Sequence, residues 1–221
     1  MFTMGTRLSL LPRPEFESRL RGCSAIELSD GATNRLWVHY QELVRWNPMI
    51  SLVGPGTEGD LVERHYGESL AAIPFLDPRW RVVVDVGSGA GFPGIVLSAV
   101  RSDLRVLLVE SRERKCLFLE TVIRKAALPC RCLNARVGAT PPEGTPPKID
   151  LVTSRGVSLP QSALEGLSGR MSAQSGAFFW VGLEPPDVPR GWEEVGRIQL
   201  PGSRARSILR LRAGVEERGS P

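Results

Sequence analysis

Residues 81–92 constrain this chain more than any other stretch. Arg81-Val82-Val83-Val84 is an apolar run that ends on Asp85, and glycine then stands at every second position, Gly87, Gly89 and Gly91. An apolar run closed by such punctuation predicts a buried strand, a tight loop and the start of a helix. Glycine suits the loop because a Cβ would hold a ligand away from the backbone. The loop amides and the helix start then form a small polar cradle. Counted from the strand end, Gly87-x-Gly89-x-Gly91 differs from the G-x-G-x-x-G of dinucleotide binding, which leaves room for a pyrophosphate, so a nicotinamide enzyme is disfavoured.

From Arg81 onward strand and helix patterns alternate. Strands are expected over 81–86, 105–110, 130–135, 148–154 and 175–181, and helices over 92–101, 112–127 and 160–169. Pro141, Pro142, Pro146 and Pro147 mark a loop. Two last strands, 195–200 and 206–212, flank Pro201-Gly202 and suit a hairpin. The pattern predicts an α/β, Rossmann-like sheet, mostly parallel, with an antiparallel C-terminal edge strand. Upstream lies an N-terminal helical extension. Residues 1–27 look loosely ordered apart from a short helix around 15–21. Ser29-Asp30 caps a helix to about Trp46, ended by Asn47-Pro48, and a second helix is expected from Asp60 to Phe75. The organisation is thus an extension over 1–80, a ligand-binding domain over 81–213 and a flexible tail over 214–221.

The 221 residues include 28 Lys and Arg against 24 Asp and Glu, for a net charge of +4. That permits an anionic partner without requiring one. All but three of the basic residues are arginine, which suits phosphate forks and base stacking but also follows from codon bias. No apolar stretch approaches the roughly 20 residues that span a bilayer. The first residues lack the apolar core and cleavage site of a secretion signal. Cys23, Cys116, Cys130 and Cys132 form no C-x-x-C pair and are expected as reduced thiols of a cytoplasmic protein. With His39 and His65 the only histidines, no metal site is expected.

In a sheet of this kind the ligand lies beyond the carboxyl ends of the strands. Two roles are open to Asp85: orienting the loop, or meeting an amino group of the ligand. Glu110, closing the second strand, is placed to accept from ribose hydroxyls. Phe92 opens the helix and either packs on the ligand or caps the sheet. The loop after Asn134, with Val137 and Gly138, borders the place of a base. Arg155, at the end of the fourth strand, could serve a carbonyl, a phosphate or a carboxylate, or simply a salt bridge. His65 could touch an acceptor, although a hydrogen-bonded structural role between Arg64 and Glu68 is the stronger reading. Trp46 anchors the extension to the sheet rather than stacking a base. Arg112, Arg114 and Lys115 could track phosphates. Arg206, Arg210 and Arg212 share one face of a strand, where RNA contact and edge protection compete.

Asp85-x-Gly87-x-Gly89-x-Gly91 resembles the first motif of S-adenosylmethionine-dependent methyltransferases. Extended through Phe92-Pro93-Gly94, it resembles the signature of the bacterial 16S ribosomal RNA guanine-N7 methyltransferase family, also called glucose-inhibited division protein B. Three further segments agree in order. Trp46-Asn47 followed by Ser51-Leu52 resembles W-N-x-x-x-N-L. Arg64-His65 through Ser69-Leu70 resembles R-H-x-x-D-S-L, and Ser154-Arg155-Gly156-Val157 resembles the S-R-A motif. The likeness covers roughly residues 35–160. It implies S-adenosylmethionine as cofactor and a guanine of 16S rRNA, free or in the 30S subunit, as acceptor of a monomeric enzyme. It also implies cofactor contacts at Gly87, Phe92, Val137, Gly138 and Arg155. The chain departs from the pattern at Glu68 for Asp, Gly67, Gly138 for Glu, Val181 for Lys, and Ser207 for His. Most of these departures fall where RNA is expected, so a small-molecule methyltransferase or a non-catalytic RNA-binding relative stays open as an alternative.

Overall fold

The computed structural model describes residues 6–156, 161–183 and 187–213. Val157 of the fourth motif and the tail over 214–221 lie outside them. Seven strands form one sheet: β1 (Val82–Val86), β2 (Arg105–Glu110), β3 (Cys130–Asn134), β4 (Ile149–Arg155), β5 (Met171–Val181), β6 (Trp192–Gln199) and β7 (Ser207–Ala213). Their order is β3-β2-β1-β4-β5-β7-β6. The first five pair in parallel, whereas β7 runs antiparallel between β5 and β6. The hairpin therefore folds back so that its second strand meets the sheet. β5 begins at Met171, four residues before the expected 175.

Alternation along each strand sorts the core into two layers. Val83, Leu108, Leu151 and Phe178 face one side with the N-terminal helices. Val84, Leu107, Val152 and Leu209 face the other with the helix Gln161–Ser168. Between β1 and β2 runs a short helix, α3 (Gly94–Val100), and after β2 comes α4 (Glu113–Lys125).

The extension is more ordered than its composition suggests. Helix α1 (Arg13–Cys23) buries Phe16 and Leu20 completely. Phe16 stacks on Tyr40 at 4.8 Å and meets Tyr66 edge-on at 5.5 Å. Two buried side chains of this kind contribute roughly 4 kcal/mol together and fix the helix against the aromatic cluster of the extension. Helix α2 (Asp30–Ile50) is capped by the Ser29 hydroxyl, which accepts from the Ala32 amide. It runs past Asn47-Pro48 to Ile50 because Asn47 supplies its own terminus. The Asn47 Oδ1 accepts from the Leu52 and Val53 amides, and its Nδ2 donates to the Thr6 carbonyl.

The continuous helix expected over 60–75 is replaced by a π-helical stretch, Val62–Gly67, one turn at Glu68–Leu70, and a 3-10 turn at Ile73–Phe75. Pro74, which has no amide to donate, falls in the 3-10 turn, and upstream the segment is tightly packed. A Cβ on Gly67 would lie 3.0 Å from the Cys23 side chain, so the segment packs tightly against α1 there. The wider π turn re-aims His65 inward.

Candidate functional site

A cavity of about 650 Å³ opens beyond the carboxyl ends of β1, β2 and β4, where parallel sheets place their ligands. Its floor is the glycine loop. Gly87, Gly89 and Gly91 all have positive φ, at 71°, 53° and 90°. The Gly87 and Ser88 amides donate to the Val109 carbonyl at the end of β2. The Gly89 amide donates to the Glu110 Oε2 at 2.9 Å, and the Arg112 amide to Oε1 at 2.8 Å. The carboxylate is thus fixed at the cavity wall, with lone pairs left to accept from a ligand's hydroxyl groups.

Asp85 does not line the cavity. It is fully buried beneath the loop, and its Oδ1 accepts from the Thr153 hydroxyl at 2.6 Å. Oδ2 has no donor at hydrogen-bonding geometry, and the neighbouring Gly94 amide gives a weaker pull. Burial outweighs these partners and raises its pKa to about 6. Of the two roles open to Asp85, this position fits the orienting one. Gly91 and Gly138 also stand outside the lining, Gly91 being the tight packing point against Ile95.

The far wall comes from the extension. His65 stacks on Phe92 with centroids 5.0 Å apart. Its Nε2 is buried without a partner, so the expected hydrogen-bonded structural histidine is corrected: one ring nitrogen is left unmatched. Burial, followed by the charges of Arg155, Arg64 and Arg206, lowers its pKa to about 3. The ring is therefore neutral at pH 7. Phe92 also meets His39 and Tyr66 edge-on, so it packs in the extension's aromatic cluster while bordering the cavity.

Arg155 lines the cavity and makes a salt bridge at once. Its Nη2 lies 2.7 Å from the Glu68 Oε2 and donates to the Arg64 carbonyl. Burial lowers its pKa to about 10, with Glu68 opposing; it stays charged at neutral pH. Arg206 lies 2.7 Å from the other Glu68 oxygen. The longer acid at position 68 thus bridges two arginines brought from β4 and from the start of β7. Val137 lines the cavity beside Arg136, and Lys115 and Arg112 close its rim. Trp46 packs edge-on against Phe118 of α4 rather than on the sheet itself.

A family model described as GidB, rRNA small subunit methyltransferase G, matches residues 33–181. The chain belongs to this family. The family's "Ribosomal RNA small subunit methyltransferase G" of Anaeromyxobacter sp. (strain Fw109-5) is 32% identical over 90% of this chain and 99% of its own length. The protein of the same name from Desulfotalea psychrophila is 37% identical, with the match spanning 62% of this chain and 65% of that protein. Among solved structures, a variant of MtNAS in complex with S-adenosylmethionine superposes with a TM-score of 0.52 at 14% identity, covering 91% of this chain and 73% of that one. At that identity the likeness shows a shared fold.

Within this GidB-family site, the glycine loop and Glu110 stand where their local pattern put them. Leu52, Val53 and Gly54 also line the cavity; of these only Leu52 stood in a sequence motif, and none was expected at the site. Their placement depends on the Asn47 side chain. His39, which reaches the loop from α2, carried no signal of its own, being separated from its partner by 51 positions.

Proposed function

We propose that this chain transfers a methyl group from S-adenosylmethionine to N7 of a guanine in 16S rRNA. The observation that supports this best is the joining, around one cavity, of the Gly87–Gly91 cradle with its clamped Glu110 and a second wall of His65, Phe92 and Arg155. The cradle fits the cofactor: the loop is bare of side chains at Gly87 and Gly89, and an acid at the end of β2 is free to accept from a ribose. Bound there, S-adenosylmethionine supplies a methyl group on a cationic sulfonium.

The residues then have separate tasks. Glu110 orients the sugar. His65, uncharged at neutral pH, adds no repulsion toward a sulfonium and backs Phe92 at the cavity wall. Phe92 shapes the apolar boundary between the two. Arg155 presents positive charge to the guanine carbonyl or to a neighbouring phosphate. N7 carries a lone pair and needs no deprotonation, so alignment of acceptor and methyl group supplies the acceleration without a general base.

The deciding assay incubates tritiated S-adenosylmethionine with 30S subunits, naked 16S rRNA and a pool of small molecules, followed by nuclease mapping of any label. Label at guanine N7 in the rRNA supports the reading. Label confined to small molecules, or salt-sensitive RNA binding without transfer, would replace it.

A further inference from the structure

A second groove lies at the other end of β7 from the Glu68 clamp. Arg206 joins Glu68 at the cavity wall, and β7 runs from there toward the opposite end of the sheet. Its register with β5 pairs Ile208 with Trp180, Arg210 with Phe178 and Arg212 with Gly176. Ile208 is core on the N-terminal side of the sheet, while Leu209 and Leu211 belong to the other layer. Arg210 and Arg212 therefore project from the same face as Ile208, about 7 Å apart along the strand.

The segment Phe75–Trp80 crosses that face and leaves a cavity of about 440 Å³ lined by Phe75, Trp80, Gln174, Arg210 and Arg212. The Arg210 guanidinium sits 5.0 Å from the Phe75 ring centre and 5.8 Å from that of Phe178. Its Nε is buried with no acceptor. Rings hold this cation in place without neutralising it. Arg212 is exposed and, among the described residues, has no carboxylate within 4 Å, although Glu193 lies opposite it in register. Asp77 and Arg79, also in the lining, pair with each other. Phe75 is 42% exposed, and the Trp80 ring is fixed by its Nε1 donating to the Gln174 carbonyl.

We propose that this groove is a track for a single-stranded stretch of the RNA substrate, at the end of β7 remote from the Arg206–Glu68 clamp. Phosphates lie against Arg210 and Arg212, and a base stacks on Phe75. The combination is the one that binds single strands without reading their sequence: a row of cations beside an exposed aromatic face. The inference rests on the rRNA reading and adds to it a binding surface away from the transferred methyl group.

The test compares Arg212→Gln, Arg210→Met and their double variant with Arg124→Gln, an exposed arginine of α4 that serves as a control. Binding of 16S rRNA is followed between roughly 50 and 200 mM salt. Each arginine lost from the track lowers the slope of log K against log salt by about 0.7. The KM for rRNA rises while the dissociation constant for S-adenosylmethionine equals that of the parent. Arg212 is exposed, so Arg212→Gln keeps the test decisive even if Arg210→Met disturbs packing on the rings. Photocrosslinking of thiouridine-substituted rRNA gives a second readout and is expected to label the peptide containing Phe75–Trp80. An active parent whose salt slope is unmoved by both track variants, with no crosslink at that peptide, overturns the track alone. A parent that transfers no methyl group to rRNA overturns the reading beneath it.

Discussion

The His39 Nε2 lies 2.8 Å from the main-chain oxygen of Ala90, so a fully buried histidine of α2 holds the middle of the glycine loop. A carbonyl can only accept, which puts the proton on Nε2 and leaves Nδ1 as the acceptor. The Tyr66 hydroxyl, 3.0 Å away, then donates to Nδ1. Tyr66, His39 and Ala90 form a chain with its polarity set from one end. Replacing His39 by Phe leaves a buried carbonyl and a buried hydroxyl unmatched. The expected cost is about 2–4 kcal/mol of stability, with weaker binding of S-adenosylmethionine. Calorimetric titration and thermal melts check both. Unchanged affinity in a folded variant would show that the loop needs no support from the extension.

Asp85 gives a pH dependence with a definite sign. Its folded pKa, about 6, lies above the ordinary carboxylate value near 3.9. The folded state thus holds a proton that the unfolded chain has released, and its contribution is greatest below pH 4 and lost as pH rises through 6. The Tm of the parent should fall, relative to that of Asp85→Asn, between pH 4 and pH 7, by the equivalent of roughly 3 kcal/mol. A difference that does not vary with pH would mean that burial leaves the carboxyl unperturbed.

His39 and His65 act in the opposite direction. Burial holds their pKa values at about 4 and about 3, below the ordinary value near 6.5. The unfolded chain binds these protons first, so stability is full above pH 6.5 and lost as pH falls toward 4. Denaturant midpoints of the parent and of His65→Gln, compared at pH 7.5 and pH 5, should converge on acidification as the parent loses the larger share.

Glycines 94 and 138 separate packing from permissiveness. A Cβ on Gly94 would lie 2.4 Å from the Leu108 Cδ2 and 2.9 Å from the Asp85 Oδ2, whereas one on Gly138 meets nothing within 4 Å. Gly94→Ala should therefore cost about 1–3 kcal/mol by overpacking. Gly138→Ala, and Gly138→Glu as in the family pattern, should stay within about 0.5 kcal/mol. Urea denaturation of the variants decides it, and equal stability of both alanine variants would refute the packing account of the Phe92-Pro93-Gly94 signature.

Ser51 is a non-glycine residue at φ 48° that ends α2. Asn occupies that place in the W-N-x-x-x-N-L pattern and tolerates the left-handed region better than Ser. Ser51→Asn should raise stability by roughly 0.5 kcal/mol, read as a small increase in Tm. A decrease would show that the serine hydroxyl has a task at the cavity edge.

The parts of this protein visible in its sequence are those whose cause is local. Short apolar runs, buried on both faces, set β1, β2 and β4, and glycine spacing set the loop between Val86 and Phe92. The acid after four apolar residues placed Glu110 at a strand end. Tertiary structure decided what depends on residues far apart. Phe16 and Leu20 order α1 only because Tyr40 and Tyr66 wait for them, and the expected helix over 60–75 is interrupted in a segment that packs at Gly67 against Cys23. Arg206 reaches Glu68 across 138 positions. No periodicity encodes such a meeting, because it is the packed sheet that brings β7 beside the π turn and sets a buried carboxylate between two arginines.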